Sequence, residues 1–336
     1  IMAYTTINKP NTQMNTVLYT GNGSTQSITG VNFQPDFTWI KDRDSTAVHY
    51  LFNAVSGATK FTNSDQTYAE QTNTQSLKSF DTDGFTLGTM TGANNNTNNF
   101  ASWNWKAGGT AVSNTDGDIT SSVSANTTSG FSVATYTGNG TGSATVGHGL
   151  GVAPAFVIIK CLSVDAWQVF PTGATRLVLN STVSDYGNNG ITKGATTITL
   201  PSGVDNGWNG SGVNYVMYTF AEKKGFSKFG SYVGNGNADG TFIYTGFKPA
   251  FIIIKPSSKV EEWTLIDNKR LGYNPDNNYV YPNQNYAEMT ADRLDIVSNG
   301  FKIRSSTGEV NTSGATMIYM AFAENPLVGT NNVPAT

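Results

Sequence analysis

The chain has 336 residues, a net charge of −3 and a pI near 5.4, and only 13% of its side chains are charged, against roughly 25% in ordinary globular proteins. No Lys/Arg cluster supplies the basic footprint that non-specific nucleic-acid binding needs, and no run of about 18 apolar residues provides a helical membrane span. A single cysteine, Cys161, excludes an internal disulfide. The 36 glycines and 12% aromatics, set among many Asn and Thr, describe short strands joined by tight turns.

Residues 1–15 are polar, contain Pro10 and lack periodicity, which predicts an arm that stays mobile unless something holds it. They show neither a basic segment nor an apolar one, so no secretory signal is expected. Met2 reads as the natural start, with Ile1 as an upstream extra. Residues 16–107 form a first β unit, with a central strand around Phe37-Thr38-Trp39-Ile40-Lys41 and an alternating closing strand ending at Trp105. Residues 108–128 are rich in Gly, Ser, Thr, Asn and Asp and read as a linker, within which Asp118-Ile119-Thr120 and Val123-Ser124 are compatible with a short edge strand. Residues 129–223 and 224–326 form a second and a third unit, separated only at Lys223-Lys224, and residues 327–336 form a tail.

The three units share one order of features. Each opens with Gly-Asn-Gly: Gly21 to Gly23, Gly138 to Gly140 and Gly234 to Gly236. Each continues into a central strand ending in Lys41, Lys160 or Lys255. Central segments such as Ile252-Ile253-Ile254 are apolar throughout, so both their faces must be covered, whereas opening and closing strands alternate. The expected fold is all-β, as three tandem antiparallel β-sandwich, jelly-roll-like domains, each with its own core.

The Gly-rich turns lack the following helix that a phosphate loop requires, and Asn-Gly favours a hairpin, so these glycines are read as structural turns. Asp81-Thr82-Asp83-Gly84 and Asp116-Gly117-Asp118 resemble pieces of calcium loops without the distal glutamate; turn chemistry accounts for them, and Ca²⁺ is the one ion considered, with no other cofactor or metal expected. Asp42-Arg43-Asp44 reads as a solvated turn. His49 falls where units two and three carry Trp167 and Trp263 and is expected to pack with a satisfied nitrogen; His148 lies in a Gly-His-Gly turn. No nucleophile elbow or carboxylate pair is discernible, so no catalytic residue is assigned. Lys160 with Glu222, and Lys255 with Glu324, end the central and closing strands of their units and form candidate ion pairs. Trp167, Trp208, Trp263 and Tyr273 are candidates for stacking on sugar rings, with core packing as the alternative for each.

Several stretches together resemble a family of structural proteins of tailed, often marine, bacteriophages. They are residues 2–9 (Met-Ala-Tyr-Thr-Thr-Ile-Asn-Lys), 33–41 (Phe-Gln-Pro-Asp-Phe-Thr-Trp-Ile-Lys), 103–109 (Trp-Asn-Trp-Lys-Ala-Gly-Gly), 146–154 (Val-Gly-His-Gly-Leu-Gly-Val-Ala-Pro), 228–236 (Lys-Phe-Gly-Ser-Tyr-Val-Gly-Asn-Gly) and 319–326 (Tyr-Met-Ala-Phe-Ala-Glu-Asn-Pro). The resemblance covers essentially the whole chain. It implies a non-enzymatic virion component on the particle exterior, a capsid decoration or tail-fibre-like part. Its expected partners are other virion proteins and further copies of itself, with a trimer favoured. A carbohydrate-binding module for host adhesion is the rival reading, with a host-surface glycan as its ligand.

Overall fold

The computed structural model describes residues 4–270 and 274–328. The protein is all-β, with antiparallel sheets and only two single-turn α-helices and one 3₁₀ turn among the described residues. One strand order recurs three times: opening, closing, central, flanking. In repeat one these strands are Met14–Thr20, Asn99–Trp105, Phe37–Asp42 and Tyr50–Asn53. In repeat two they are Phe131–Thr137, Asn214–Phe220, Phe156–Cys161 and Trp167–Phe170, and in repeat three Ser227–Val233, Thr316–Pro326, Phe247–Pro256 and Thr264–Asp267. Register is shared as well, since Phe37 pairs with Trp105, Phe156 with Phe220 and Phe251 with Phe322.

A smaller three-stranded sheet faces each main sheet. Its strands are Gln26–Ile28, Gly84–Leu87 and Leu77–Asp81 in repeat one, Thr145–Gly147, Thr197–Thr199 and Thr192–Lys193 in repeat two, and Phe242–Tyr244, Gly300–Ile303 and Leu294–Val297 in repeat three. Apolar side chains between the two sheets give each repeat a private core, in keeping with a two-layer sandwich.

The Gly-Asn-Gly loops join a main-sheet strand to a small-sheet strand, and those two strands do not pair. They are sheet-to-sheet crossings rather than hairpin turns. The glycines are required by geometry: a Cβ on Gly138 would stand 2.3 Å from the Gly210 carbonyl oxygen, and Gly140 sits at φ +69°. Gly21 and Gly23, and Gly234 and Gly236, repeat both features. A buried asparagine staples each loop. Asn209 Oδ1 accepts from the Asn139 amide, and its Nδ2 donates to Asn139 Oδ1 and the Thr141 carbonyl; Asn94 and Asn311 do the same in repeats one and three.

The second face of each main sheet is not solvated. All three turn it inward, onto one shared cluster that includes Trp39, Trp103, Phe156, Trp167, Phe251 and Trp263. At its centre Trp105, Phe220 and Phe322, the corresponding residues of the three closing strands, touch one another edge to face, with centroids 5.8–6.5 Å apart. A void of about 20 Å³ lies in this shared cluster, lined from all three repeats. The all-apolar central strands are thus explained by a common core as well as a private one.

Two segments differ from the sequence reading. The presumed linker carries strands Val112–Asn114 and Ser121–Asn126, which extend the main sheet of repeat two beside its opening strand. Its Ser/Thr-rich composition suits an edge whose outer face is wet. The presumed arm is anchored: Thr5 and Ile7 are buried, Ile7 in the shared cluster, and Met14 already belongs to the opening strand. Of the tail, residues 329–336 lie outside the described part, as do the first three residues.

Because the shared core belongs to no single repeat, the chain is expected to melt in one calorimetric transition. Phe220→Ala should lower the unfolding free energy by about 3–5 kcal/mol without splitting that transition. Separate melting of the repeats would refute the common core.

Candidate functional site

The central strand of each repeat ends in a lysine that is fully buried: Lys41, Lys160 and Lys255. Burying an ammonium is costly unless its protons find acceptors, and here carbonyl oxygens of the following turn supply them. Lys160 Nζ donates to Asp165 O at 2.7 Å and Ser163 O at 3.4 Å, and Lys255 Nζ to Pro256 O at 2.8 Å and Lys259 O at 3.4 Å. Lys41 Nζ donates to Asp42 O at 2.7 Å and Ser45 O at 3.4 Å. Two of the lysines also reach the preceding repeat, Lys160 to Thr67 O at 3.4 Å and Lys255 to Thr182 O at 3.2 Å. Burial draws all three ammonium groups down to about 8.

The turns these lysines organise form the joints between repeats. Between repeats one and two, Asp165 N donates to Thr67 O and Glu70 N to Leu162 O. Between two and three, Glu261 N donates to Thr182 O and Asp185 N to Ser257 O. Between three and one, Ala47 N donates to Asn285 O and Glu288 N to Arg43 O. The third joint closes the chain into a ring.

A ring nitrogen crosses each joint at the same place. Trp167 Nε1 donates to Asn63 O at 2.8 Å, and Trp263 Nε1 to Val178 O at 3.0 Å. His49 takes this role at the closing joint, with Nε2 at 3.1 Å from Tyr281 O. Trp39 Nε1, a donor only, points at His49 Nδ1 at 2.9 Å, so the histidine proton sits on Nε2. Burial holds this imidazole well below its ordinary value of 6.5, in the neutral form.

Among the described residues, the closing joint is the one that carries a buried ionic network. Arg270 binds Asp267 at 2.6 Å and Glu288 at 2.9 Å, Glu288 also holds Arg43 at 2.8 Å, and Trp103 Nε1 donates to Asp267 at 3.0 Å. The stretch 42–44, expected to be a solvated turn, is therefore part of this joint, with Asp42 buried.

The proposed sugar-stacking tryptophans have no free face. Trp167, Trp208 and Trp263 are all buried, and the indole nitrogen of Trp208 is used by Gly203 O; Tyr273 lies outside the described residues. The proposed ion pairs do not form. Neighbouring strands are antiparallel, so Lys160 lies opposite Val216 and Lys255 opposite Ile318, at the far ends from Glu222 and Glu324. Glu222 pairs instead with Lys228, and Glu324 with Lys248. The aspartates of the calcium-like stretches serve as turn acceptors, Asp83 for the amides of Gly30 and Asn32 and Asp118 for Thr145. Among the described residues, no group of three His, Cys, Asp or Glu side chains is placed to hold a metal.

Sequence reasoning missed the exposed side chains beside the joints. Tyr68 and Val164 flank the Asp165–Thr67 hydrogen bond, Val260 and Val183 flank its counterpart, and Thr46 and Tyr286 flank the third. Tyr68, Val164, Val260 and Tyr286 are about half or more exposed. A usable signal was present: Gln66-Thr-Tyr-Ala-Glu70 is repeated as Gln284-Asn-Tyr-Ala-Glu288.

A family model described as a domain of unknown function, DUF7483, matches residues 9–326. No curated protein and no solved structure matches the chain.

Two outcomes test the joints. Lys160→Met leaves three carbonyls without their donor and should cost about 2–3 kcal/mol of unfolding free energy, read by denaturant titration. An unchanged midpoint would show that the ammonium does not bind the joint. For His49, the unfolded chain binds a proton below about pH 6.5 while the folded chain does not. Stability should therefore fall as pH drops from 7 to 5, and His49→Gln, which cannot titrate, should flatten that slope; equal slopes would remove His49 from the acid response.

Proposed function

We propose that this chain, which belongs to the DUF7483 family, is a non-enzymatic structural protein of a tailed-bacteriophage virion. It is exposed on the particle exterior, as a capsid decoration or a fibre component, and acts through contacts with neighbouring virion proteins and with copies of itself. The reading starts from the resemblance noted in the sequence. The observation that carries it further is the ring: three joints with the same backbone hydrogen-bond pattern each present an exposed apolar position, Tyr68 with Val164, Val260 and Tyr286.

Such an arrangement offers several similar contact points in one rigid body, which suits a position of threefold symmetry in a larger assembly. It supplies within one chain a layout that a trimer of single domains would otherwise provide. The trimer expected from the resemblance would then stack or bundle complete rings.

Cryo-electron microscopy of particles of the phage that encodes the chain is the deciding measurement. Density for the ring on the particle exterior is expected, either in many copies over the shell or in a few copies at the tail. Purified particles without this chain would end the virion reading, and the lattice or tail position would separate decoration from fibre.

A further inference from the structure

The outer face of the small sheet differs among the repeats. In each, the first strand of that sheet sends one residue into the private core: Ile28 opposite Phe85, Val146 opposite Ile198, and Ile243 opposite Phe301. The residues on either side belong to the other face, because successive positions of a strand alternate. Repeat one places Ser27 and Thr29 there, and repeat two Thr145 and Gly147. Repeat three places Phe242 and Tyr244, which are 45% and 53% exposed.

The fold does not require these two aromatic rings. Repeat one satisfies the same position with a hydroxyl pair, Ser27 to Thr86 at 3.0 Å. Repeat two has the face covered: a Cβ on Gly147 would meet Asn114 Oδ1 at 1.6 Å, and Asp118 binds Thr145. Among the described residues, repeat three alone leaves apolar side chains about half exposed on this face, and the Tyr244 hydroxyl also meets the Tyr4 side chain at the edge.

The two rings stand on alternate residues of one strand, about 6.6 Å apart along it. Charged groups border them. Lys302, opposite Phe242, holds Asp239 at 2.7 Å, and Asp239 itself is 82% exposed. Next to Lys302 in the sheet, Asp295 pairs with Arg304. An aromatic residue buries about 150–250 Å² when fully covered, so these two half-exposed rings offer about 200 Å². A stable protein interface needs about 800 Å² from each partner. A pyranose ring fits the smaller figure, since its C–H face stacks on an aromatic ring while its hydroxyls reach charged groups at the edge.

We propose that Phe242 and Tyr244 form a platform for an oligosaccharide, with Asp239 and Lys302 taking hydrogen bonds from and giving them to its hydroxyls. This goes beyond the structural role proposed above and stands apart from it, because it is a property of the isolated chain.

The test is a glycan microarray probed with the full chain, spanning neutral, amino-sugar and acidic oligosaccharides, followed by calorimetric titration of the best ligand. The variant Phe242→Ser/Tyr244→Thr carries near-copies of repeat one's residues and should keep the wild-type melting temperature. Wild type should bind, and the double variant should lose at least about tenfold in affinity. Phe242→Leu keeps the apolar volume without the ring face and should weaken binding in the same direction, which guards against a misfolded double variant. Absence of binding across the array, or equal affinity in the Leu variant, overturns the proposal. So does light scattering that shows a wild-type dimer dissolved by the double variant, since the patch would then serve self-association.

Discussion

Three aromatic rings hold this molecule in its shape. Trp105, Phe220 and Phe322 occupy the same position in three closing strands and meet edge to face at the centre of the shared core. Each main sheet therefore has two apolar faces to cover, one under its own small sheet and one against its two neighbours. A repeat on its own would leave the second face in water. The hydrophobic effect thus makes the repeats mutually dependent, although each looks like a complete sandwich in outline. The joints then fix the angle between repeats by directed hydrogen bonds that the non-directional core cannot supply.

Polar groups follow from this arrangement. A lysine at the end of each central strand is held by carbonyls of the turn that builds the joint, too deep for water and too close to those carbonyls to be replaced by an apolar side chain without loss. The tryptophan or histidine next to it carries a single donor across the gap. The closing joint adds carboxylates and guanidinium groups, so the contact that completes the ring is also the most specific. Buried ionic networks are weak sources of net stability but penalise incorrect pairing heavily. Placing one at a single joint distinguishes repeat three's meeting with repeat one from the other two meetings.

Much of the architecture was legible in the sequence, because glycine geometry and strand alternation are local. The Gly-Asn-Gly turns mark the repeats, and runs such as Ile252-Ile253-Ile254 show that both faces are covered. What covers the second face was not legible, since a pattern of burial does not name its partner. Trp167 and Trp263 look the same in sequence whether they stack on a ligand or send an indole N–H across a joint. Lys160 and Glu222 each end a strand, but antiparallel pairing puts those ends far apart. Residues 108–128 have the composition of a linker because an edge strand with one wet face uses the same Ser, Thr and Asn. Phe242-Ile243-Tyr244 did carry a signal, as three apolar residues in a row where the other repeats alternate.

The ends of the described chain have a topological implication. The Tyr4 hydroxyl and the Leu327 amide both donate to the carbonyl of Gly246, each at 3.3 Å. Beginning and end thus meet on one atom of repeat three. The three joints share one pattern of backbone hydrogen bonds, and the ionic network that marks the closing joint is made by side chains, so neither depends on which repeat comes first in the chain. A circularly permuted chain, opened at Lys223-Lys224 and joined by a short bridge from Leu327 to Tyr4, would contain every contact described for the native order except those at the cut. The order of synthesis is thus separable from the order of assembly, and the ring is a property of the joints rather than of the thread that passes through them.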